Sequence, residues 1–134
     1  MALQKKAMIA NRSQGALPRI YPKRTESVIF AQAGAIKTLP VGTVLAFSTA
    51  SNGYVEWATG GANETGIICA VVYPDPVIVT TAGEVAGNVM MAGEAHRDDL
   101  LSDGGTSGQL DTALAAPATR RMDLFVRALA DYRE

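Results

Sequence analysis

From Gly42 onward the chain is written in short apolar runs cut by turn residues, a grammar that leaves it little but β-structure to fold into. Thr43 to Ser48 is the first clear strand. Ser51-Asn52-Gly53 makes a turn, and Tyr54 to Trp57 follows as its hairpin partner. Gly60-Gly61-Ala62-Asn63 is a loop. Gly66 to Tyr73 is nearly continuous in apolar residues, which suits a strand buried on both faces and is too short for most helices. Pro74-Asp75-Pro76 breaks it, and Val77 to Thr81 resumes it or pairs back. Gly83 and Gly87 bracket the next turn, leading into a strand over Asn88 to Ala95. Gly104 to Gly108 reads as a flexible loop, and Leu110 to Ala116 as a short helix ended by Pro117. Over residues 122–132 two patterns coexist. Met122, Phe125, Val126 and Leu129 share one face at helical spacing, while Leu124-Phe125-Val126 also makes a strand core.

A chain of 134 residues fits one domain with one modest core. With 48% hydrophobic and 19% charged residues the body is expected to be globular. Aromatics make up only 6%, so the core is thin per residue and oligomerisation is expected to supplement it. Cys69 is the only cysteine, which excludes an intrachain disulfide and a cysteine-rich zinc site and suits a reducing compartment. Ala7 to Ala10 is too short for a signal-peptide core, and no run approaches the roughly 18 apolar residues of a membrane span. A soluble protein made in a cytoplasm is the expectation.

The front of the chain obeys other rules. The first 25 residues hold six basic groups (Lys5, Lys6, Arg12, Arg19, Lys23, Arg24) and no acidic one, whereas the remainder holds six basic and thirteen acidic groups. Pro18 and Pro22 flank Arg19-Ile20-Tyr21 and favour extended backbone. No periodic apolar pattern would fold this stretch onto the body. Residues 1–27 therefore read as an extended basic arm and 28–134 as the β-rich domain, with Val28-Ile29-Phe30 as the first strand or the last part of the arm.

Catalytic grammar is sparse. His96 is the only histidine, so any Ser-His-Asp or Cys-His arrangement must use it. Cys69 lies inside the Ile67 to Val72 run, where a small buried hydrophobe is expected, and His96 is expected at a surface or interface. Asp98, Asp99 and Asp103, with Glu94 and His96 nearby, lack the ligand spacing of a calcium loop; acidic residues in the first turn of a short helix account for them. Gly104 to Gly108 lacks the Lys-Ser/Thr of a phosphate loop. No enzyme activity, metal or cofactor is expected. Trp57 is expected to anchor a core or an interface, with Tyr54 on its strand face, and the two mark a candidate trimer contact.

Six charges in the arm invite phosphate. They are spread over about twenty positions with Tyr21 as the only aromatic, and the acidic body repels polyanions, so nucleic acid is an unlikely partner. Protein binding fits better, through an extended segment added to a sheet edge. Ordering about 25 residues costs on the order of 1–2 kcal/mol each. Exposed ion pairs return under about 1 kcal/mol apiece. Ile9, Leu17, Ile20 and Tyr21 must then find pockets on the partner beside the basic groups.

Gly42-Thr43-Val44-Leu45-Ala46, Asn52-Gly53-Tyr54-Val55 and Gly66-Ile67-Ile68-Cys69-Ala70-Val71-Val72 follow one another in a telling order. Gly93-Glu94-Ala95 with Asp99-Leu100 and the Ala-Leu-rich Leu110 to Ala116 complete it. Over residues 42–127 this resembles the lambda-type head decoration (capsid cement) proteins of tailed bacteriophages. The resemblance implies a mainly β, small, compact, β-tulip-like body with one or two short helices and an extended N-terminal arm, assembled as a homotrimer. It implies a place on the capsid exterior at three-fold and quasi-three-fold sites, where the trimer binds the expanded head and the arm extends a sheet of the major capsid protein. No motif aligns the arm residue by residue. Its capsid-binding set is inferred from the residues alone: Lys5, Lys6, Ile9, Arg12, Leu17, Arg19, Ile20, Tyr21, Lys23 and Arg24. The rivals are a small trimeric β-fold enzyme or ligand-binding module, and a tail or fibre component.

Overall fold

A computed structural model describes residues 18–116 and 120–127. Eight strands carry the fold: β1 (Ile20–Phe30), β2 (Lys37–Leu39), β3 (Val44–Ser48), β4 (Gly53–Glu56), β5 (Ala70–Val72), β6 (Val77–Val79), β7 (Val85–His96) and β8 (Asp123–Arg127). One helix, α1 (Ser107–Ala115), and a 3-10 turn over Arg97–Asp99 complete it. The class is mainly β, as the short-run grammar predicts.

The main sheet runs β1-β4-β3-β5-β7-β8, and a further pairing of β1 with β7 closes its first five strands into a ring. The closure is unequal. β1 and β7 pair antiparallel from Ile20↔Ala95 to Phe30↔Val85, whereas β1 and β4 meet only at Phe30↔Tyr54. β8 joins β7 in parallel, with Leu124 opposite Gly93 and Val126 opposite Ala95. β2 and β6 form a separate two-stranded sheet.

Strand alternation divides the apolar residues between two cores. Val44, Val71 and Met90 face a cluster with Ile20, Trp57, Ile68, Leu124 and the α1 residues Leu110, Ala113 and Leu114. Leu45, Ala70, Val72 and Val89 face the other, with Phe30, Leu39, Val77 and Val79. All of β5, and β3 apart from half-buried Phe47, is therefore buried, which is why 44–47 and 70–72 are apolar without a break.

The expected hairpin holds, and several other expectations change. The hairpin of β3 and β4 forms around Asn52, at φ 55°. The Gly66 to Tyr73 run is strand only at Ala70–Val72, because residues 62–66 turn and Ile68 makes an isolated bridge to Arg120. Val77–Val79 neither resumes that run nor pairs back on it; its partner is Lys37–Leu39, a three-residue strand too short to stand out in sequence. Gly87 lies inside β7, not in a turn. A Cβ there would come within 2.6 Å of Val77 and 2.8 Å of Phe30, so glycine is what lets β6 close over the strand. The helix begins at Ser107 within the supposed flexible loop, capped reciprocally by Thr106 and Gln109. Residues 123–127 are strand, with Leu124 buried and Phe125 exposed; 128–132 lie outside the described residues.

The largest change is at the front. β1 crosses the expected 27/28 boundary without a break, and Ile20 to Ser27 pair with β7 of the same chain. In place of apolar periodicity the strand has two end anchors, Ile20 and Phe30, both buried. Between them residues 21–27 are exposed on both sides of the strand.

Candidate partner-binding surface

Of the ten arm residues, Lys5, Lys6, Ile9, Arg12 and Leu17 lie outside the described residues. The other five take three different roles. Ile20 is 3% exposed and packed in the core, so its pocket is in its own body and it is lost to a partner. Arg19 is tied to the 3-10 turn. Its backbone N–H and its Nε both donate to Asp99 Oδ2, at 2.8 and 2.7 Å, and its carbonyl accepts from the His96 N–H at 2.9 Å. Burial alone would raise the Asp99 carboxyl, but these hydrogen bonds and the guanidinium charge outweigh it and hold the group below its ordinary value.

Tyr21, Lys23 and Arg24 remain on the surface. Arg24 lies 3.3 Å from Glu26, an exposed pair of small worth. Tyr21 stands opposite Glu94 on β7, and Glu94 opposite Phe125 on β8, so the three share one sheet face. Tyr21 and Phe125 are each 56% exposed. Two positions along β8 from Phe125, Arg127 donates to Glu94 at 2.5 Å and lies 5.6 Å from the Phe125 ring centroid. Phe125 is a surface residue that sequence reasoning missed. The alternation in Asp123–Arg127 carried the signal, once the strand was chosen over the helix.

On its other edge β1 has a strand partner only at Phe30 among the described residues. Pro22, Lys23, Arg24 and the register breaks at 22/24 and 24/25 are features that discourage indiscriminate strand addition there.

The candidate trimer pair, Tyr54 and Trp57, divides between the two cores. Trp57 is 1% exposed and donates from Nε1 to the Gly66 carbonyl, so it anchors the chain's own core. Tyr54 is half-buried against Phe30 and Phe47 in the other cluster. The two are three positions apart and do not share a face.

His96 is wholly buried rather than at a surface, and its Nδ1 accepts from the Asp98 N–H, capping the 3-10 turn. Cys69 is half-buried, and burial pushes its thiol up to about 11. Three of the suspected carboxylates go to different cations: Asp99 to Arg19, Asp103 to Lys37, which also binds Glu56, and Glu94 to Arg127. Glu56, then Asp103, raises the Lys37 pKa. Among the described residues no three His, Cys, Asp or Glu side chains are grouped to hold a metal. No described helix is long and apolar enough to cross a membrane.

An apolar groove of about 450 Å³ lies between the 31–36 segment, β2 and the outer edge of β4, lined by Ala33, Ile36, Leu39, Tyr54 and Val79 with Lys37 and Glu56 at its polar rim. Compared with known proteins, the chain matches no protein-family model and no curated protein.

Proposed function

We propose that the protein is a structural capsid decoration protein. It binds the outer surface of an expanded phage head as a homotrimer at three-fold and quasi-three-fold sites and stabilises the shell against internal DNA pressure. Its role is non-enzymatic and needs no cofactor, and its place is the virion exterior after synthesis in the host cytoplasm. The reading rests on the order of glycine turns and apolar strands over residues 42–127, which resembles that family, and it carries with it the trimeric, β-tulip-like form. The structural observation that favours it is β1. This strand is fastened at both ends, bears exposed Tyr21, Lys23 and Arg24 between, and leads in sequence directly back into the basic residues 1–17. The major capsid protein is the partner those residues meet. Many copies on a closed shell add avidity, so modest single contacts suffice.

Because Ile20 is core and Arg19 is tied to Asp99, the informative truncation removes residues 2–17 and leaves both in place. Co-sedimentation with expanded shells is expected to retain the full-length protein and lose the truncated one, while sedimentation velocity finds both as trimers. Equal binding by the two would reject the arm's role. A full-length protein that binds no shell would reject the decoration reading itself.

A further inference from the structure

β1 and β7 form an antiparallel ribbon whose first pair is Ile20↔Ala95. Such a ribbon, drawn from its N-terminal end, opens one pair at a time unless the first pair is locked. Little inside the ribbon would stop it here. Residues 21–27 are exposed on both sides, and two register breaks fall between Pro22 and Thr25. The next buried anchor is Phe30.

Arg19 sits immediately before that first pair. Its backbone N–H and Nε converge on one oxygen of Asp99, and its carbonyl is held by the N–H of His96. The body half of the clasp stands on a firm base. Leu101, two residues beyond Asp99, donates to the Gly42 carbonyl at 2.9 Å, and its own carbonyl accepts from Val44 of β3 at 2.9 Å. Gly42 lies so close that a Cβ on it would be 2.1 Å from the Asp99 carbonyl oxygen, and its φ of +99° suits glycine. The His96 ring caps the same turn by accepting from the Asp98 N–H.

We propose that the Arg19–Asp99 clasp is a peel-stop: it locks the first pair of the β1–β7 ribbon, so that tension on the chain before Pro18 passes into β3 and β7 and does not unzip β1. The clasp is a property of the free protein. Its use, to carry load from residues 1–17 on a shell into the body, rests on the decoration reading.

Hydrogen–deuterium exchange on the full-length protein without shells tests it. In Asp99→Asn and in Arg19→Gln, amides of residues 20–27 are expected to exchange about ten- to a hundredfold faster, as fits the loss of charge-assisted hydrogen bonds at the end of a ribbon. Amides of β3 and β5 keep their wild-type rates, and the double variant does no more than the worse single one. Trypsin is expected to cut after Lys23 and Arg24 sooner in both variants. Unchanged exchange in 20–27 overturns the proposal. So does a rise of equal size in β3 and β5, which would make Asp99 a contributor to global stability only. If one variant fails to fold, the other alone is read in the same way. Since no shell is present, failure here leaves the decoration reading standing, and a protein that binds no shell leaves the clasp standing.

Discussion

The Cys69 thiol is pushed up to about 11 by burial, a shift that the Arg121 charge and the Phe47 backbone N–H oppose without cancelling. At pH 8 roughly one molecule in a thousand then carries the thiolate, against about a quarter for a free cysteine. Iodoacetamide labelling at pH 8 is expected to be at least about a hundredfold slower in the folded protein than in denaturant. Similar rates in the two states would contradict the burial. Its place in an apolar run made this behaviour legible. His96 and Trp57 were less so. A lone histidine after an alternating stretch can face either way, and only the folded turn at Asp98 makes it a buried cap. A tryptophan at a strand end suits a core as well as an interface. The Gly66 carbonyl nine residues on, and the helix packed beside it, decide for the core.

At the scale of elements, β7 organises the molecule, since β1 lies along one edge while β5 and then β8 share the other. Gly87 in its first half lets the small β2–β6 sheet close over Phe30. Gly87→Ala is expected to force Val77 and Phe30 apart and to cost about 1–3 kcal/mol, seen as a lower urea midpoint with an unchanged slope. A midpoint equal to wild type would mean that β6 yields freely. The helix start was present in sequence as Thr106-Ser107-Gly108-Gln109, a capping-box pattern, although three glycines drew attention to flexibility instead. β1 was the least legible element. Its exposed middle carries no alternation, and its strand character comes from the pairing that β7 offers.

For the whole molecule, the charge split becomes partly internal, because Arg19 is spent on Asp99. Asp99 titrates lower in the folded than in the unfolded state, so the folded protein holds fewer protons there. Its contribution is present above the unfolded value, about 3.9, and is lost as pH falls through it towards the folded value. The urea midpoint is expected to fall between pH 7 and pH 3, and to fall less in Asp99→Asn, which has lost that contribution already. Parallel curves would show that Asp99 gains nothing from Arg19. The class of fold, the β3–β4 hairpin, the apolar strands buried on both faces and the inert setting of Cys69 were all legible in the residues. Each follows from local apolar patterning and turn chemistry. That Arg19 is clasped to Asp99, that Lys37–Leu39 pairs with Val77–Val79, and that Trp57 and His96 turn inward emerge with the folded chain. The first two rest on partners far away in the chain, Arg19 and Asp99 being 80 positions apart, and no local pattern encodes which distant group will fold beside which.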